Sequence, residues 1–529
     1  MFIRVKKSDS YRYLQIVQNR REGARVVQEV IATLGRVEKL QAGGDIDALT
    51  RSLSRFAVKV RIVGEHRAKA LEAGSVIKTG PALAFGRLWE QVGADRVISG
   101  LAGGRRFSFP AERIIFGSVL HRLFESGSDR SAEKWFRDVK VEGLEDASLH
   151  HYYRAMRWLG ETKDEIEEKL YHHSRDLFSQ ASLAFFDTTS FYFYGRGGET
   201  LGRYGHSKDH RPDLRQAVVG AVLTEKGRPL SCEIYPGNNA DAKSLVPEAE
   251  RMSSRFGLKR VCWVSDSGMA SEGVIDSLEA RKLEYILGCR MRRVKEVREE
   301  VLGRGGRYRE VAENLLVKEV QIEGRRYILC HNPEQAKKDT ADRASILEAL
   351  EEALSKNAKG LIGNKGYRRY VKIERETVRI DEEAAKEDAR YDGKFVLRTN
   401  SLLSAEEVAV QYKRLLLVEQ FFRAAKSLLE TRPVYHKYDA TIRGHIFVSF
   451  LALLLRHELE ERLKSRSWKL EWADVIRDLG SLYEVEVREG AELYLLRSEL
   501  RGVCGKVLQA AGVAIPLALK QIECSAKKV

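Results

Sequence analysis

The chain has 529 residues, of which 43% are hydrophobic and 32% are charged, a composition typical of a soluble globular protein with a sizeable core. Its formal net charge of +15 favours polyanionic partners, nucleic acid first and anionic membranes second. The six cysteines form no CxxC pair and no apolar run is long enough to span a bilayer, so we expect neither a disulfide scaffold nor a membrane protein.

The first part of the chain, residues 1–75, begins with strand-like alternation and then becomes helical. The alternation over residues 1–36 predicts a small basic β-meander. No apolar run follows the basic residues of MFIRVKKSDSYRY, so we expect no secretory signal and a cytoplasmic protein with reduced thiols. Residues 76–178 predict a helical domain. Two of its short helices could form a helix-turn-helix-like module, but there is no base-reading signature, and a plain helical bundle fits as well.

Residues 179–289 have the pattern of a mixed α/β sheet. SLAFFDTTS predicts a buried strand ending at Asp187, and KRVCWVSDSGM predicts another ending at Asp266. Between them lie two strands, QAVVGAVLT and RPLSCEIY, and a helix from Asp241 to about residue 256. A further helix and the strand EYILGC follow. The order strand-strand-strand-helix-strand-helix-strand therefore places both carboxylates at strand ends, where ligands gather in open sheets.

Residues 290–400 interrupt this order with several strand candidates, a charged helix (Pro333–Lys356) and a basic patch (Lys365–Tyr370). Because the sheet still lacks its final helix, we interpret this segment as a β-rich insertion inside the fold. The core resumes over residues 401–465. A small α/β C-terminal region, 466–529, completes the five predicted domains.

The stretch Gln411–Glu430 predicts one continuous amphipathic helix. At about 100° per residue its packing stripe comprises Val410, Leu417, Phe421, Ala424 and Leu428. The opposite stripe comprises Tyr412, Glu419, Arg423, Lys426 and Glu430. Spacings of seven residues put Tyr412 and Lys426 within about 20° of Glu419. This carboxylate could hold a metal ion while its neighbours hold phosphates. The alternative is a solvated polar face.

Asp187, Asp266 and Glu419 form a candidate catalytic metal site. Phosphodiester hydrolysis or transfer uses two Mg²⁺ ions about 4 Å apart, one activating the attacking oxygen and one stabilising the leaving oxygen. Mg²⁺ is held by few carboxylates, so a set without His or Cys suits it better than zinc. The alternative is that the two aspartates are ordinary strand-end residues that cap loops.

The Gly-rich loop Gly195–Arg215 is a candidate cradle for a phosphate backbone. Its basic residues are Arg203, His206, Lys208, His210, Arg211 and Arg215. His206 and His210 could instead be metal ligands at i, i+4, although the nearby prolines and glycines argue against a helix. Helix capping explains Asn239 and Asp241, which we leave out of the predicted catalytic set.

Four blocks carry a resemblance, in order FFDTTSFYF, GHSKDHRPDLRQAVVGAVLTEKGRPLSCEIYPGNNAD, VSDSGM and the helix around Glu419. They resemble the DDE transposases of bacterial insertion sequences, most closely the branch whose third-carboxylate helix reads Tyr, two residues, Arg, three residues, Glu, six residues, Lys. Tyr412, Glu419 and Lys426 match that spacing, whereas Leu415 stands at the Arg position. The phosphate contact that the family's Arg makes is therefore either absent here or replaced by one from Lys413, Arg414 or Arg423.

The insertion of related enzymes can place a Trp beside a flipped base at the element end. Residues 290–400 contain no Trp, so Tyr327, Tyr367 or Tyr370 would have to take that place.

The resemblance implies a ribonuclease-H-like α/β fold, a mixed sheet with helices on both faces and a β-rich insertion before the last catalytic helix. It implies a transposase that binds the terminal inverted repeats of an insertion sequence and catalyses DNA cleavage and strand transfer with two Mg²⁺ ions, which Mn²⁺ can replace. The implied partners are double-stranded DNA, as element ends and target, and a second copy in a homodimer, all in the bacterial cytosol and at the nucleoid.

We expect residues 1–75 to recognise the DNA end. The remaining DNA contacts are predicted at Tyr412, Arg423, Lys426, Lys208, Arg211, Arg203, Lys413 and Arg414. Two alternatives stay open, namely a non-mobile nuclease or resolvase of the same fold and a DNA-binding repressor that has lost its chemistry.

Overall fold

The structure is a computed structural model. It describes residues 1–22, 25–54, 71–174, 183–257, 261–356, 368–374, 377–489 and 492–522. The chain forms two compact units, which are Met1–Thr79 with Ser481–Arg501 and Ile515–Val529, and Gly80–Gly480 with Gly502–Ala514.

The β-strands of the described residues are β1 (Phe2–Ser8), β2 (Tyr11–Glu22), β3 (Arg25–Arg36), β4 (Leu71–Lys78), β5 (Leu183–Tyr192), β6 (Gln216–Thr224), β7 (Pro229–Pro236), β8 (Cys262–Ser265), β9 (Glu284–Gly288), β10 (Arg309–Ala312), β11 (Leu315–Ile322), β12 (Arg325–His331), β13 (Val371–Glu374), β14 (Thr377–Ile380), β15 (Lys394–Thr399), β16 (Tyr483–Glu489), β17 (Glu492–Arg497) and β18 (Leu519–Ile522).

The α-helices of the same residues are α1 (Val37–Ala42), α2 (Asp45–Ser54), α3 (Gly80–Gln91), α4 (Ala94–Gly103), α5 (Ala111–Phe124), α6 (Asp129–Trp135), α7 (Leu149–Ser174), α8 (Leu245–Phe256), α9 (Glu272–Ala280), α10 (Pro333–Lys356), α11 (Glu382–Ala389), α12 (Ala405–Lys413), α13 (Leu416–Arg423), α14 (Asp439–Ser465), α15 (Trp472–Gly480) and α16 (Cys504–Ala511).

The first unit contains two antiparallel sheets. Strands β1, β2 and β3 form the predicted meander. Strands β18, β17, β16 and β4 form the second sheet, so C-terminal strands pair with a strand that precedes the helical region. The predicted C-terminal region, 466–529, is therefore not one unit, because parts of it belong to each of the two units. Part of the helical stretch predicted before residue 71 lies outside the described residues.

The second unit is built around a nine-stranded sheet with the order β10-β11-β12-β15-β9-β8-β5-β6-β7. Strand β8 is parallel to β5 and to β9, and the other neighbours are antiparallel. The predicted succession of strands and helices from β5 to β9 is confirmed. Four strands of the predicted insertion extend this same sheet beyond β9, because β15 pairs directly with β9. A small β13–β14 hairpin within the insertion was not predicted.

One face of the central strands is covered by α8 and α9. Ala184 and Phe186 of β5 pack there with residues of both helices, such as Met252 and Leu278. Because side chains alternate along a strand, the odd-numbered residues of β5 point to the other face. Helix α13 packs against β5 and β6, and α12 packs against strands on the β9 side of the sheet.

Helices α3 to α7 occupy residues 80–174 before the sheet, whereas residues 76–78 of the predicted helical domain belong to strand β4. Helix α7 packs along α14, whose run Ile446–Leu455 is buried at every position. Among the described residues, no helix combines the length and apolar character needed to cross a membrane. Of the five cysteines in the described ranges, Cys232, Cys262, Cys289 and Cys330 form no disulfide bond.

The contact between α7 and α14 depends on two glycines that face each other. A Cβ atom on Gly160 would fall on the carbonyl oxygen of Ala440 and the amide nitrogen of Gly444. A Cβ atom on Gly444 would fall on the carbonyl oxygen of Met156. The two backbones therefore approach too closely for any side chain between them.

We expect Gly160→Ala to destabilise the second unit by about 2 kcal/mol or more, because overpacking against backbone outweighs the gain in helix propensity. Gly100→Ala is the matched control, since this exposed glycine of α4 has open space around its missing Cβ. It should be neutral or stabilise by up to about 1 kcal/mol. Urea unfolding measures both free energies, and equal effects of the two substitutions would contradict this packing.

Candidate active site

Asp187 and Asp266 are brought together by the register of two parallel strands. The pairing of β5 with β8 matches Phe185 with Val264, and continuing it by two residues sets Asp187 across from Asp266. The Ser265 hydroxyl donates a 2.8 Å hydrogen bond to the carbonyl oxygen of Phe186, which fixes the end of β8 at this point. The two carboxylates therefore lie side by side on one face of the sheet.

The position of Asp187 corrects the sequence interpretation. It is the fifth residue of the ten-residue strand β5 and pairs with Ala221 of β6, so it does not end its strand as predicted. Asp266 does follow the last residue of β8, as predicted. An apolar run cannot show where a strand ends when the residues after its carboxylate, here Thr188 to Tyr192, also have high β propensity.

The Asp187 carboxylate is largely buried and carries an unusual protonation equilibrium. Its Oδ1 accepts a 2.7 Å hydrogen bond from the Thr188 amide and lies 3.7 Å from the Lys208 ammonium. Burial raises the pKa of Asp187 to about 6, and the charges of Asp266 and Asp241 add to the rise against the opposing effect of Lys208. A bound cation would therefore stabilise the ionised form of Asp187 further, in addition to Lys208.

Asp241 also belongs to this site, although the sequence interpretation assigned it to helix capping. Its Oδ1 accepts a 2.6 Å hydrogen bond from the Thr188 hydroxyl, and its Oδ2 lies 3.2 Å from Lys208 Nζ. No side-chain cap is formed at the start of α8. The occurrence of Asp241 in the resembling GNNAD block could have suggested a role in the site. We therefore add Asp241 and Thr188 to the candidate residues.

Lys208 is the cation that now lies between these carboxylates. Its ammonium donates a 2.7 Å hydrogen bond to the carbonyl oxygen of Thr188, besides its ion pairs with Asp187 and Asp241. The Lys208 amide donates to the hydroxyl of Ser190, which ties the basic loop to β5. The loop thus reaches the carboxylates, as the sequence predicts.

Tyr412 lies over the same edge of the sheet. Continuing the β8–β9 register sets Asp266 across from Gly288, and a Cβ atom on Gly288 would fall on the Tyr412 hydroxyl. The Tyr412 ring stacks on Phe395 at 5.8 Å between centroids. Its pKa is raised, first by burial and then by the charge of Asp266, with a smaller contribution from Asp187. Only a glycine at residue 288 leaves room for this phenol beside the carboxylates.

The predicted continuous helix Gln411–Glu430 is wrong. Helix α12 ends at Lys413, α13 begins at Leu416, and a π-helical turn follows over Ala424–Leu428. Hydrogen bonds between residues three apart connect the two helices, for example from the Val418 amide to the Leu415 carbonyl. A tighter junction and a wider turn both change the rotation per residue, so the 20° argument does not hold along this stretch.

The predicted packing stripe is also wrong, by one residue. The buried residues of this stretch are Val408, Ala409, Leu415, Val418, Phe422, Ala425 and Leu429. Most of the predicted stripe is only half-buried, and its residue Leu428 is exposed. Apolar residues occupy two adjacent faces of α13, so periodicity alone could not choose between them.

Glu419 is exposed on α13, and its side chain forms no hydrogen bond or ion pair with another described residue. Within the described ranges, no group of three or more His, Cys, Asp or Glu side chains has the arrangement of metal ligands. The structure thus brings Asp187 and Asp266 together but does not assemble them with Glu419. The acidic groups of the site are all carboxylates, and the site is partly buried. Carboxylate oxygens are suitable ligands for a hard divalent ion.

Lys426 reaches the site from the π-helical turn. Its ammonium bonds Asp209 Oδ1 at 2.7 Å, and Arg432 lies 3.3 Å from the same oxygen. Burial lowers the pKa of Lys426, Asp209 opposes this change, and the charge of nearby Lys208 contributes to it. Lys426 is therefore near Lys208, whereas Glu419 does not share the contacts of these two lysines.

The other predicted DNA contacts lie on the surface. Lys413, Arg414 and Arg423 are exposed and form no side-chain hydrogen bond or ion pair with another described residue. The Arg203 guanidinium donates to the carbonyl oxygen of Gly202, and Arg211 pairs with Asp213 at 2.8 Å. His206 and His210 take part in no metal-ligand group of the described residues.

The described side chains at two departures from the resembling family are buried. Leu415, at the position of the family's Arg, faces the core with 6% exposure. Tyr327 and Tyr370 are buried, and the Tyr370 hydroxyl donates to Asp388, so neither is available to stack on a DNA base as the sequence suggested. Tyr367 and most of the predicted patch Lys365–Tyr370 lie outside the described residues.

Comparisons with known proteins identify family models that match two parts of the chain. A family model described as "IS1634 family transposase, N-terminal domain" matches residues 3–61, and one described as "Transposase DDE domain" matches residues 179–455. A piggyBac transposase in a synaptic complex with hairpin DNA is similar at 10% identity and a TM-score of 0.35, over 76% of this chain and 79% of that one.

A Mos1 transposase in a paired-end complex with the left transposon end is similar at 13% identity and a TM-score of 0.15. That likeness covers 36% of this chain and 57% of the Mos1 chain. The comparison with curated proteins gives no match. The matched DDE domain covers more than half of the length of this chain. The chain therefore belongs to the DDE transposase family.

Proposed function

We propose that the protein binds the terminal inverted repeats of an insertion sequence and catalyses Mg²⁺-dependent DNA cleavage and strand transfer. The observation that carries this proposal is the adjacency of Asp187 and Asp266, with Tyr412 above them and two lysines beside them. In our proposal the two carboxylates bind a hard cation, and the two lysines and the Tyr412 hydroxyl bind phosphate.

We also propose that the central sheet is ribonuclease-H-like. The order β7-β6-β5-β8-β9, with three antiparallel strands followed by two parallel ones, supports this assignment. Helices lie on both faces of it, α8 and α9 on one and α12 and α13 on the other. The strands β15, β12, β11 and β10 then represent the insertion that precedes the last catalytic helix.

Asp187, Asp266 and Glu419 would hold two Mg²⁺ ions, with Asp241 as a further carboxylate at the edge of the site. Such ions lower the barrier to phosphodiester exchange by activating the attacking oxygen and stabilising the leaving one. Glu419 is exposed on α13, so a change at the α12–α13 junction or in the π-helical turn would accompany its entry into the site. Homodimer formation on two DNA ends belongs to the same proposal.

The chain's own cations position the DNA. Lys208 and Lys426 are held near Asp187 by Asp241 and Asp209, and both would contact phosphates flanking the cleaved bond. The Tyr412 hydroxyl would donate to a phosphate oxygen from the opposite side. Lys413, Arg414 and Arg423 would extend this contact along the backbone, and the meander of the first unit would read the repeat.

The carboxylate assignment is tested on duplex DNA carrying the inverted repeats that flank the gene. We expect Asp187→Asn, Asp266→Asn and Glu419→Gln each to reduce Mg²⁺-dependent cleavage at least about a hundredfold, since each removes transition-state stabilisation of about 3 kcal/mol or more. Binding to the ends, measured by gel shift, should persist.

The control is Asp276→Asn, because Asp276 is an exposed carboxylate of α9 away from the site. It should cleave as wild type does. Full cleavage by Glu419→Gln would remove Glu419 from the site, and full cleavage by either aspartate variant would contradict the metal assignment. Strand transfer from pre-cut ends separates a transposase from a nuclease that cuts without joining.

The raised pKa of Asp187 predicts a pH-dependent cost to stability. Its pKa is about 6 in the folded protein, against an ordinary value of 3.8, so ionising it destabilises the fold as pH rises from about 4 to above 6. In EDTA at pH 7.5 we expect Asp187→Asn to stabilise the protein by up to about 3 kcal/mol.

At pH 4 most of this gain should be lost, because the folded state then holds the proton and the unfolded state is already about 40% protonated. Thermal or urea unfolding at the two pH values measures the difference, with Asp276→Asn again as the control. If Asp187→Asn destabilises the protein at pH 7.5, or if the gain in stability does not depend on pH, the claim that burial raises the pKa of Asp187 is refuted.

A further inference from the structure

A basic cleft lies in the helical region, apart from the candidate active site. It has a volume of about 580 Å³ and is lined by Arg105, Arg106, Phe107, Arg154, Arg157, Trp158 and Glu161. The first three follow α4, and the others lie on α7, so two separate segments of the chain bring their arginines to one place. Four guanidinium groups and one carboxylate leave a formal charge of +3.

The arginines of this cleft are held in place. Glu161 pairs with Arg105 and with Arg157, at 3.0 Å in each case. The Arg154 guanidinium lies 5.0 Å from the ring centre of Phe109, and this ring stacks on His151 at 4.6 Å. These contacts reduce the side-chain entropy that an arginine loses on binding a ligand.

Arg106 differs from the others. It is exposed and forms no hydrogen bond or ion pair with another described residue. The floor between the arginines is aromatic, since the half-buried Phe107 packs edge-on against the buried Trp158 at 5.5 Å. Like charges gathered around one open cleft repel each other, and an anion with several charged oxygens would remove that cost.

We propose that this arginine cleft, defined by the seven lining residues above, binds the phosphate backbone of duplex DNA. The proposal rests on the proposed function, which supplies the polyanion. Guanidinium forks match phosphate oxygens, and the helical region carries no base-reading signature, so the contact is independent of base sequence. The cleft adds DNA affinity outside the site that performs the chemistry.

The test is DNA binding by the full-length protein as a function of salt concentration, on an element-end duplex and on an unrelated duplex. The variant is Arg106→Ala/Arg157→Ala. Each lost phosphate contact changes the slope of log affinity against log salt by about 0.9, so we expect the slope to fall by nearly 2 for both duplexes. Affinity at low salt should fall at least about tenfold for both.

The matched control is Arg87→Ala/Lys134→Ala, which removes the same charge from exposed positions of α3 and α6 outside the cleft. It should leave the slope nearly unchanged. An unchanged slope in the cleft variant, or an equal loss in both variants, would overturn the cleft as a DNA site.

The two failures are distinguishable. Suppose that the wild-type protein binds and cleaves the element ends and that the cleft variant has the same DNA affinity as the wild type. Then only the cleft proposal fails. If the wild-type protein binds neither duplex, the proposed function fails with it. Unchanged circular dichroism and thermal stability of the variant show that the fold is intact.

Discussion

The parallel pairing of β5 with β8 is the constraint on which the site depends. It sets Asp187 and Asp266 side by side, and the hydrogen bond from Ser265 to Phe186 holds the register. Two neighbouring carboxylates that are partly removed from water repel each other and favour a bound cation or proton. In the protein alone, Lys208 and a raised pKa of Asp187 offset this repulsion. The same repulsion gives the site its affinity for divalent ions in our proposal.

The surrounding structure brings distant parts of the chain to this pair. Strand β9 ends in Gly288, whose missing side chain admits the phenol of Tyr412 from α12. The basic loop contributes Lys208, and the π-helical turn contributes Lys426 through its ion pair with Asp209. Glu419 lies between Tyr412 and Lys426 along the chain but is exposed to solvent, so our proposal requires it to move toward the two aspartates.

The sequence predicted the sheet well because its strands are apolar and separated by clear turns. The order from β5 to β9, the insertion strands and the helix Pro333–Lys356 all follow from periodicity and composition. Asp187 and Asp266 were found because a carboxylate within or after an apolar run is costly without a partner. Their convergence required the parallel register, which no local pattern contains.

The helix around Glu419 was predicted less well, and the reason is physical. Both Leu417 and Val418 are apolar, so two faces compete for the core, and tertiary packing selected the second. Helix α13 packs on β5 and β6, and the π-helical turn packs on α14. Neither the tight junction at Arg414 nor the π-helical turn has a Gly or Pro to mark it in the sequence. Asp241 was missed because a cap and a site residue have the same local pattern.

The most direct measurement is a crystal structure of the protein bound to pre-cut element ends and Mn²⁺, with the ions located by anomalous scattering. The account predicts oxygens of Asp187, Asp266 and Glu419 within about 2.5 Å of the ions, with Glu419 moved out of solvent. Ions held by Asp187 and Asp241 while Glu419 stays in solvent, or no ion between Asp187 and Asp266, would contradict it.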